Sequence, residues 1–390
     1  MPLKPSQILN LLKAKRADFD TFDKSALQAL QLYRKALAEA SQESEKTLQQ
    51  QLGAFGLLDR GAEPLEPCAE FANWVMPAGL VWQNREESLM WVRDRLMDIS
   101  TFAVDGSQIY PGKDLSIPIA LVQIGWFENL HCADGRYEKD IAVDVMTPAD
   151  LKATNSGDPV DRRVNMRRFQ METERLIQYM EDRAGCSECL AFLDGSLVVT
   201  FAEAFDEDTR NFYVKCVVRL LQASEHYRVP LIGYIDTTYA RDLTVMLQRL
   251  FTLPEAPSLH DAPLLSRFMQ WGDRTPLFRC RRFGILHQYP EKIADQILFA
   301  YLKAHDGFPV RVELPRWVYE AGMTDQVLDW VRGEIIIGGG YPYVIETADQ
   351  TAVLKAEDRQ AFFRLLQEWA DSEELNLRLS RKMVSKTRRR

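Results

Sequence analysis

Two stretches of this sequence carry a carboxylate to the same kind of place. Ser100-Thr-Phe-Ala-Val-Asp-Gly-Ser107 and Cys189-Leu-Ala-Phe-Leu-Asp-Gly-Ser196 each run apolar residues into an Asp-Gly-Ser triad. A short apolar run closed by Gly and Ser reads as a strand buried on both faces. Asp105 and Asp194 then fall at strand ends, where the ligands of α/β sheets gather. Each following glycine lets backbone or a phosphate come close. Two carboxylates over one cleft repel unless a cation lies between them, so the pair predicts a divalent-metal site. One Asp-Gly-Ser alone is ordinary turn chemistry. Its repetition after two buried runs is what points to a site.

Other chemistries find little support. Cys186 and Cys189 form a single C-x-x-C with no second pair to complete a zinc site, and they read as reduced thiols. Gly338-Gly-Gly340 is not followed by Gly-Lys-Ser/Thr, so it is not a P-loop, and no G-x-S-x-G occurs. The chain has 390 residues, 46% hydrophobic and 27% charged, which is ordinary for a large globular core. No apolar run approaches a membrane span and no signal-peptide core follows the first residues, so a cytoplasmic protein is expected. The net charge of −8 argues against a broadly basic coat, yet leaves room for a local basic channel. Basic clusters lie at Arg162, Arg163, Arg167 and Arg168, at Arg279, Arg281 and Arg282, and in a tail over residues 378–390.

The elements that position the carboxylates can be read from period and punctuation. Residues Ser6 to Phe55 are helical in pattern, with Ser6 as an N-cap, and a second helix covers Glu86 to Met97. After the strand ending at Asp105, strands are predicted over Ser116 to Trp126 and Glu138 to Met146. An arginine-rich helix from Asp161 to Arg183 precedes the Asp194 strand. A helix from Glu203 to Glu225, a strand from Pro230 to Ile235 and a helix from Arg241 to Phe251 complete the series. Three strands, helix, strand, helix, strand is the order of a ribonuclease H-like mixed sheet, an α/β fold. That analogy alone does not establish function.

In that order the helix after the third strand and a late element are the places to seek further acids. Met166, Phe169, Thr173, Leu176 and Met180 form the inward stripe of the helix. Glu172 flanks the stripe and stands four residues from Arg168, which fits either a site ligand or a surface ion pair. The late stretch runs from Arg332 through three glycines and Tyr341-Pro342 to Asp349.

Taken together, Val104-Asp-Gly-Ser107, Arg168 with Glu172, Leu193-Asp-Gly-Ser-Leu197, Val312-Glu-Leu-Pro315 and Gly340-Tyr-Pro342 occur in one order over about two thirds of the chain. In these residues the chain resembles the NurA nucleases, which work with a HerA-type hexameric ATPase in processing DNA ends. The resemblance implies a DNA nuclease of repair and recombination that uses Mn²⁺ or Mg²⁺, two ions in its full form, and is usually a homodimer. It places a nuclease domain with a ribonuclease H-like core over residues 99–370. An N-terminal helical region (1–98) precedes it, and a basic C-terminal tail (371–390) comes after it. Asp105, Glu172 and Asp194 take the family's metal-ligand positions, and Tyr341 that of its active-site tyrosine. Arg167, Arg168 and Arg241 are candidates for DNA phosphate contacts.

One departure separates the chain from this pattern. The family commonly has Ala-His eight residues after the tyrosine; here the pair is Ala348-Asp349. An oxygen ligand replaces a nitrogen one, giving an all-carboxylate site. The other consequence is a weak or inactive nuclease fold that serves as a DNA-binding or docking partner of a motor ATPase. A third reading has Asp349 cap the next helix.

Overall fold

The computed structural model describes residues 3–56, 59–112, 115–152 and 159–377, so the basic tail at 378–390 lies outside the described residues. Among the described residues, nine strands occur in chain order: β1 (Gly61–Pro64), β2 (Ser100–Ile109), β3 (Ala120–Asn129), β4 (Tyr137–Met146), β5 (Cys189–Asp194), β6 (Leu231–Ile235), β7 (Phe278–Arg281), β8 (Ile297–Leu302) and β9 (Val310–Pro315). They divide between two units, one built from residues 1–81, 235–286 and 298–312, the other from 82–234, 287–297 and 313–390. Among the described residues, no helix is long and apolar enough to cross a membrane.

The second unit carries the strand order β6-β5-β2-β3-β4. Strands β2, β3 and β4 form an antiparallel meander, whereas β5 runs parallel to β2, and β6 parallel to β5. Helix Val160–Asp182 joins β4 to β5, and helix Glu207–Tyr227 joins β5 to β6. This is the ribonuclease H-like mixed α/β arrangement expected from the order of elements. Its central strands are continuous apolar runs because helices cover them; Phe102 stacks on Tyr179 of the first helix at 4.2 Å.

Boundaries shift where local chemistry overrides period. Strand β2 does not stop at Asp105 but continues through Gly106 and Ser107 to Ile109, paired with β3 throughout. β3 starts at Ala120 rather than Ser116, two residues past Pro118, which has no N–H for a ladder. The helix expected from Glu203 starts at Glu207, because the Asp206 side chain accepts from Thr209 N. At the N-terminus the expected single pattern divides into helices Pro5–Ala14, Arg16–Ala40 and Glu45–Gly53. Pro5 opens the first at its N1 position, so Ser6 is not its cap.

The first unit pairs β1, β7 and β8 antiparallel. Its core holds Asp242, fully buried, with Arg311 at 2.8 Å and Arg282 at 2.5 Å. Arg279 and Arg281 both reach Glu63, at 2.9 and 3.1 Å. Part of the basic cluster at 279–282 thus neutralises buried or half-buried acids of this unit.

In the second unit the late stretch of the sequence is held as a helix against the meander. Helix Tyr343–Ala352 lies across β2 and β3, and a Cβ at Gly125 of β3 would collide with the backbone of Thr351 and Ala352. Ser107 Oγ and Gln123 Nε2 both donate to Ala352 O, at 2.5 and 2.9 Å, tying down its C-terminal end. At the other end, fully buried Glu334 accepts from Val344 N at 3.0 Å and from Thr101 Oγ1 at 2.6 Å. An N-terminal N–H and a C-terminal carbonyl that the helix cannot satisfy are thus bonded to fixed groups. We expect Gly125→Ala to lower the unfolding free energy by about 1–3 kcal/mol through overpacking. Gly53→Ala, whose methyl would meet nothing, should leave it within about 0.5 kcal/mol. Urea titrations of the three proteins check both.

Candidate metal centre

Parallel pairing sets the first two carboxylates side by side. Val104 of β2 is the register partner of Leu193 of β5, so Asp105 and Asp194 stand one step further along neighbouring strands. Asp105 is half-buried and Asp194 exposed. The two Asp-Gly-Ser triads then diverge. After Asp194 the chain turns, with Gly195 at φ +142°, a value that favours glycine. Buried Glu313 holds that turn, accepting from Ser196 Oγ at 2.9 Å and Leu197 N at 2.6 Å. After Asp105 the strand continues, and Ser107 is committed to Ala352.

Glu172 reaches the same place from helix Val160–Asp182, where it is buried among the helix's inward residues. The helix can sit this close because Gly106 has no side chain; a Cβ there would clash with Glu172 Oε1 and the Arg168 stem. Arg168 Nη1 donates to Glu172 Oε1 at 3.0 Å and to Gly106 O at 3.2 Å. The Arg168–Glu172 spacing is therefore an ion pair, but a largely buried one aimed at the strand ends.

Asp349 arrives on helix Tyr343–Ala352. The register places Gly125 opposite Asp105, and the helix seated on Gly125 brings Asp349 beside Asp105, where the two carboxyls act on each other. Asp349 does not cap the next helix: it lies inside its own, and Asp358 accepts from Lys355 N to start helix Ala356–Ser372. Tyr341 OH donates to Asp194 Oδ1 at 2.9 Å. Its ring stands edge-on to Tyr234, the β6 register partner of Asp194, at 5.2 Å.

The electrostatics of this group are those of crowded acids. Burial first, then the Asp349 and Asp194 carboxylates, push Asp105 up to about 6, against a hydrogen bond from Gly106 N–H. Burial pushes Glu172 up to about 8; Asp105 and Asp194 add to the rise and Arg168 opposes it. Among the described residues, no group of three or more His, Cys, Asp or Glu side chains is placed so that it could hold a metal ion as it stands. Asp194 is bonded to Tyr341 and Glu172 to Arg168, and Asp105 lies beside Asp349, so the carboxylates face protein partners. The donor set is nonetheless all oxygen, graded from buried Glu172 to exposed Asp194 and Asp349, and its members repel one another. Such a set fits a hard divalent cation.

Asp105, Glu172, Asp194, Tyr341 and Asp349 thus come together, with Arg168 bound to the group. Arg167 pairs with Asp144 of β4 at 2.6 Å. Arg241 belongs to the other unit, where its Nη2 donates to Ala256 O at 3.2 Å. Sequence reasoning overlooked Glu313 and Glu334 as positioning residues. The available signal was an acid embedded in an apolar run, Val310-Arg-Val-Glu-Leu and Glu334-Ile-Ile-Ile.

The family model of the NurA domain matches residues 99–354, about two thirds of the chain. No curated protein matches the sequence. Among solved structures, the catalytic domain of human endonuclease V is similar at 12% identity and a TM-score of 0.33, covering 73% of this chain and 96% of that one.

The carboxyl groups impose a pH dependence. Glu172 and Asp105 bind protons more tightly folded than unfolded, where 4.5 and 3.8 are the ordinary values. Their contribution to stability is complete below those values and is lost as pH rises through about 6 and then about 8. In EDTA, the melting temperature of the wild type should fall across this window, and Glu172→Gln should flatten the upper part of the fall. Added Mg²⁺ should restore more stability at about pH 8.5 than at about pH 5.5, because a cation needs the deprotonated acids. Thermal scans at the two pH values, with Mg²⁺ or EDTA, measure this.

Proposed function

The chain belongs to the NurA family, and on that premise we propose that it is a divalent-metal-dependent DNA nuclease. In this reading it hydrolyses phosphodiester bonds at DNA ends in repair and recombination, as a cytoplasmic homodimer working with a HerA-type hexameric ATPase. The observation that carries the reading is geometric. Two neighbouring parallel strands, a helix seated on Gly106 and a helix seated on Gly125 deliver four carboxylates and a tyrosine to one place.

Asp105, Glu172, Asp194 and Asp349 are the residues that would hold Mn²⁺ or Mg²⁺, with two ions in the full site. Bound metal supplies a water of lowered pKa and neutralises charge at the leaving oxygen. The rest falls to the chain. Arg168 keeps Glu172 turned toward the strand ends and offers a cation beside the scissile phosphate. Tyr341 fixes the Asp194 carboxylate through its hydroxyl. In the absence of a cation, burial and the neighbouring Asp349 and Asp194 carboxylates make Asp105 hold its proton more tightly, which relieves the repulsion. Arg167 is the further proposed phosphate contact. It already has a protein partner, so it would act as preset positive charge rather than as a mobile arm.

End-labelled single- and double-stranded DNA incubated with Mn²⁺, Mg²⁺ or EDTA tests the reading. Asp105→Ala and Asp194→Ala should each lose cation-dependent cleavage by at least about two orders of magnitude while keeping the wild-type circular dichroism. Near wild-type cleavage by either variant would sink the site. A wild-type protein that binds DNA but cuts with neither ion would be the inactive docking partner instead. At the departure from the family pattern, Asp349→His should shift preference toward Mn²⁺, and Asp349→Ala should lose more activity than Asp349→His. Cleavage titrated with each ion reads that order.

A further inference from the structure

Beside the carboxylates lies an aromatic cluster that the hydrolytic reading does not use. Phe201 sits in the 3-10 turn Thr200–Ala204, seven residues past Asp194, and is 52% exposed. A single exposed Phe calls for no explanation. This ring, however, is buttressed edge-on by three others: Tyr213 at 5.0 Å, Phe169 at 6.2 Å and Phe205 at 6.4 Å. Arg162 lies over Phe205 with its guanidinium 4.8 Å from the ring centre, and it is anchored to Asp206 at 2.7 Å.

The cluster is continuous with the site. Phe169 follows Arg168 on helix Val160–Asp182 and precedes Glu172 by less than a turn. The Tyr213 hydroxyl lies in the field of both Arg168 and Glu172. The segment between Asp194 and Phe201 is fixed: Glu313 holds Leu197 N, and Tyr289 OH accepts from Val199 N at 3.2 Å and donates to Leu197 O at 3.1 Å. Phe201 is therefore an aromatic ring on a fixed segment, partly open to solvent, in a cluster whose other members meet Arg162 and the field of Arg168 and Glu172.

We propose that Phe201, backed by Phe169, Phe205 and Tyr213, is a stacking platform for an unpaired nucleobase of the DNA strand led to the carboxylate site. The proposal rests on the nuclease reading and adds the form of its substrate. An unpaired base offers a π-face to an aromatic ring whatever its identity, whereas bases inside a duplex are already stacked. The neighbouring guanidiniums of Arg162 and Arg168 suit the phosphates that flank such a base. The platform would give the protein a preference for single-stranded or frayed ends without sequence specificity.

The test uses the full chain in EDTA, so that binding is read without cleavage. The probes are a short single-stranded DNA carrying 2-aminopurine and a blunt duplex of the same sequence. Wild-type protein should quench the 2-aminopurine on binding. Phe201→Ala and Phe201→Leu should lose the quench and bind the single strand about 5- to 150-fold more weakly, the range for one base–aromatic stack. Phe201→Trp should keep both properties, and duplex affinity should change little in all three. The leucine variant keeps most of the apolar packing, so its loss cannot be put down to unfolding. Wild-type quench and affinity in both Phe201→Ala and Phe201→Leu would overturn the platform while leaving the nuclease reading intact. Equal losses on single strand and duplex would overturn it as well. A wild-type protein that binds neither probe would overturn the nucleic-acid reading itself.

Discussion

Repulsion among carboxylates brought together where β5 ends beside the middle of β2 is the constraint on which the rest of the second unit depends. Nothing local favours placing Asp105, Glu172, Asp194 and Asp349 within one another's field; at neutral pH they oppose the fold. They stay because the scaffold around them is over-determined. Two glycines admit helices at distances that no other residue allows, and two fully buried glutamates fix the segments that bear Asp194 and Asp349. Glu313 and Glu334 each accept from a backbone N–H and a side-chain hydroxyl, so their burial is matched by hydrogen bonds.

This division of labour separates two kinds of acid in the same unit. Glu313 and Glu334 face inward, are fully buried and act on backbone. Asp194 and Asp349 are exposed and act outward, while Glu172, buried yet held by Arg168, lies between these extremes. Charge proposed to meet an ion is left near water, and charge that holds a turn is buried with its partners. The first unit shows the second use again, with Asp242 locked between Arg282 and Arg311.

How much of this is legible in the sequence depends on whether the cause is local. The positions of Asp105 and Asp194 at the ends of buried runs are readable, since an apolar stretch and its closing triad are contiguous. The order of strands and helices from β2 to β6 is readable for the same reason. The burial of Glu172 is not, because helical period puts it only at the edge of a stripe, and Gly106 on another element decides the matter. Nor is the seating of Asp349, which turns on Gly125, or the anchoring by Glu313 and Glu334, which look like interruptions of apolar runs. Strands β7, β8 and β9 also escape a reading by period. They have four to six residues each, too few to show an alternation, and β8 and β9 are buried at every position.

The bonds from Ser107 and Gln123 to Ala352 close a loop of more than two hundred residues, with separations of 245 and 229 along the chain. During synthesis, β2 and β3 leave the ribosome long before the helix that rests on them. At ordinary elongation rates the interval is roughly ten seconds to a minute. Over that time the nascent chain can form the meander and two of the acids' strands, but it has no Asp349 and no Tyr341. The complete constellation is thus a late event in the life of each molecule. A fragment ended early by stalled translation or proteolysis carries an unfinished set of acids.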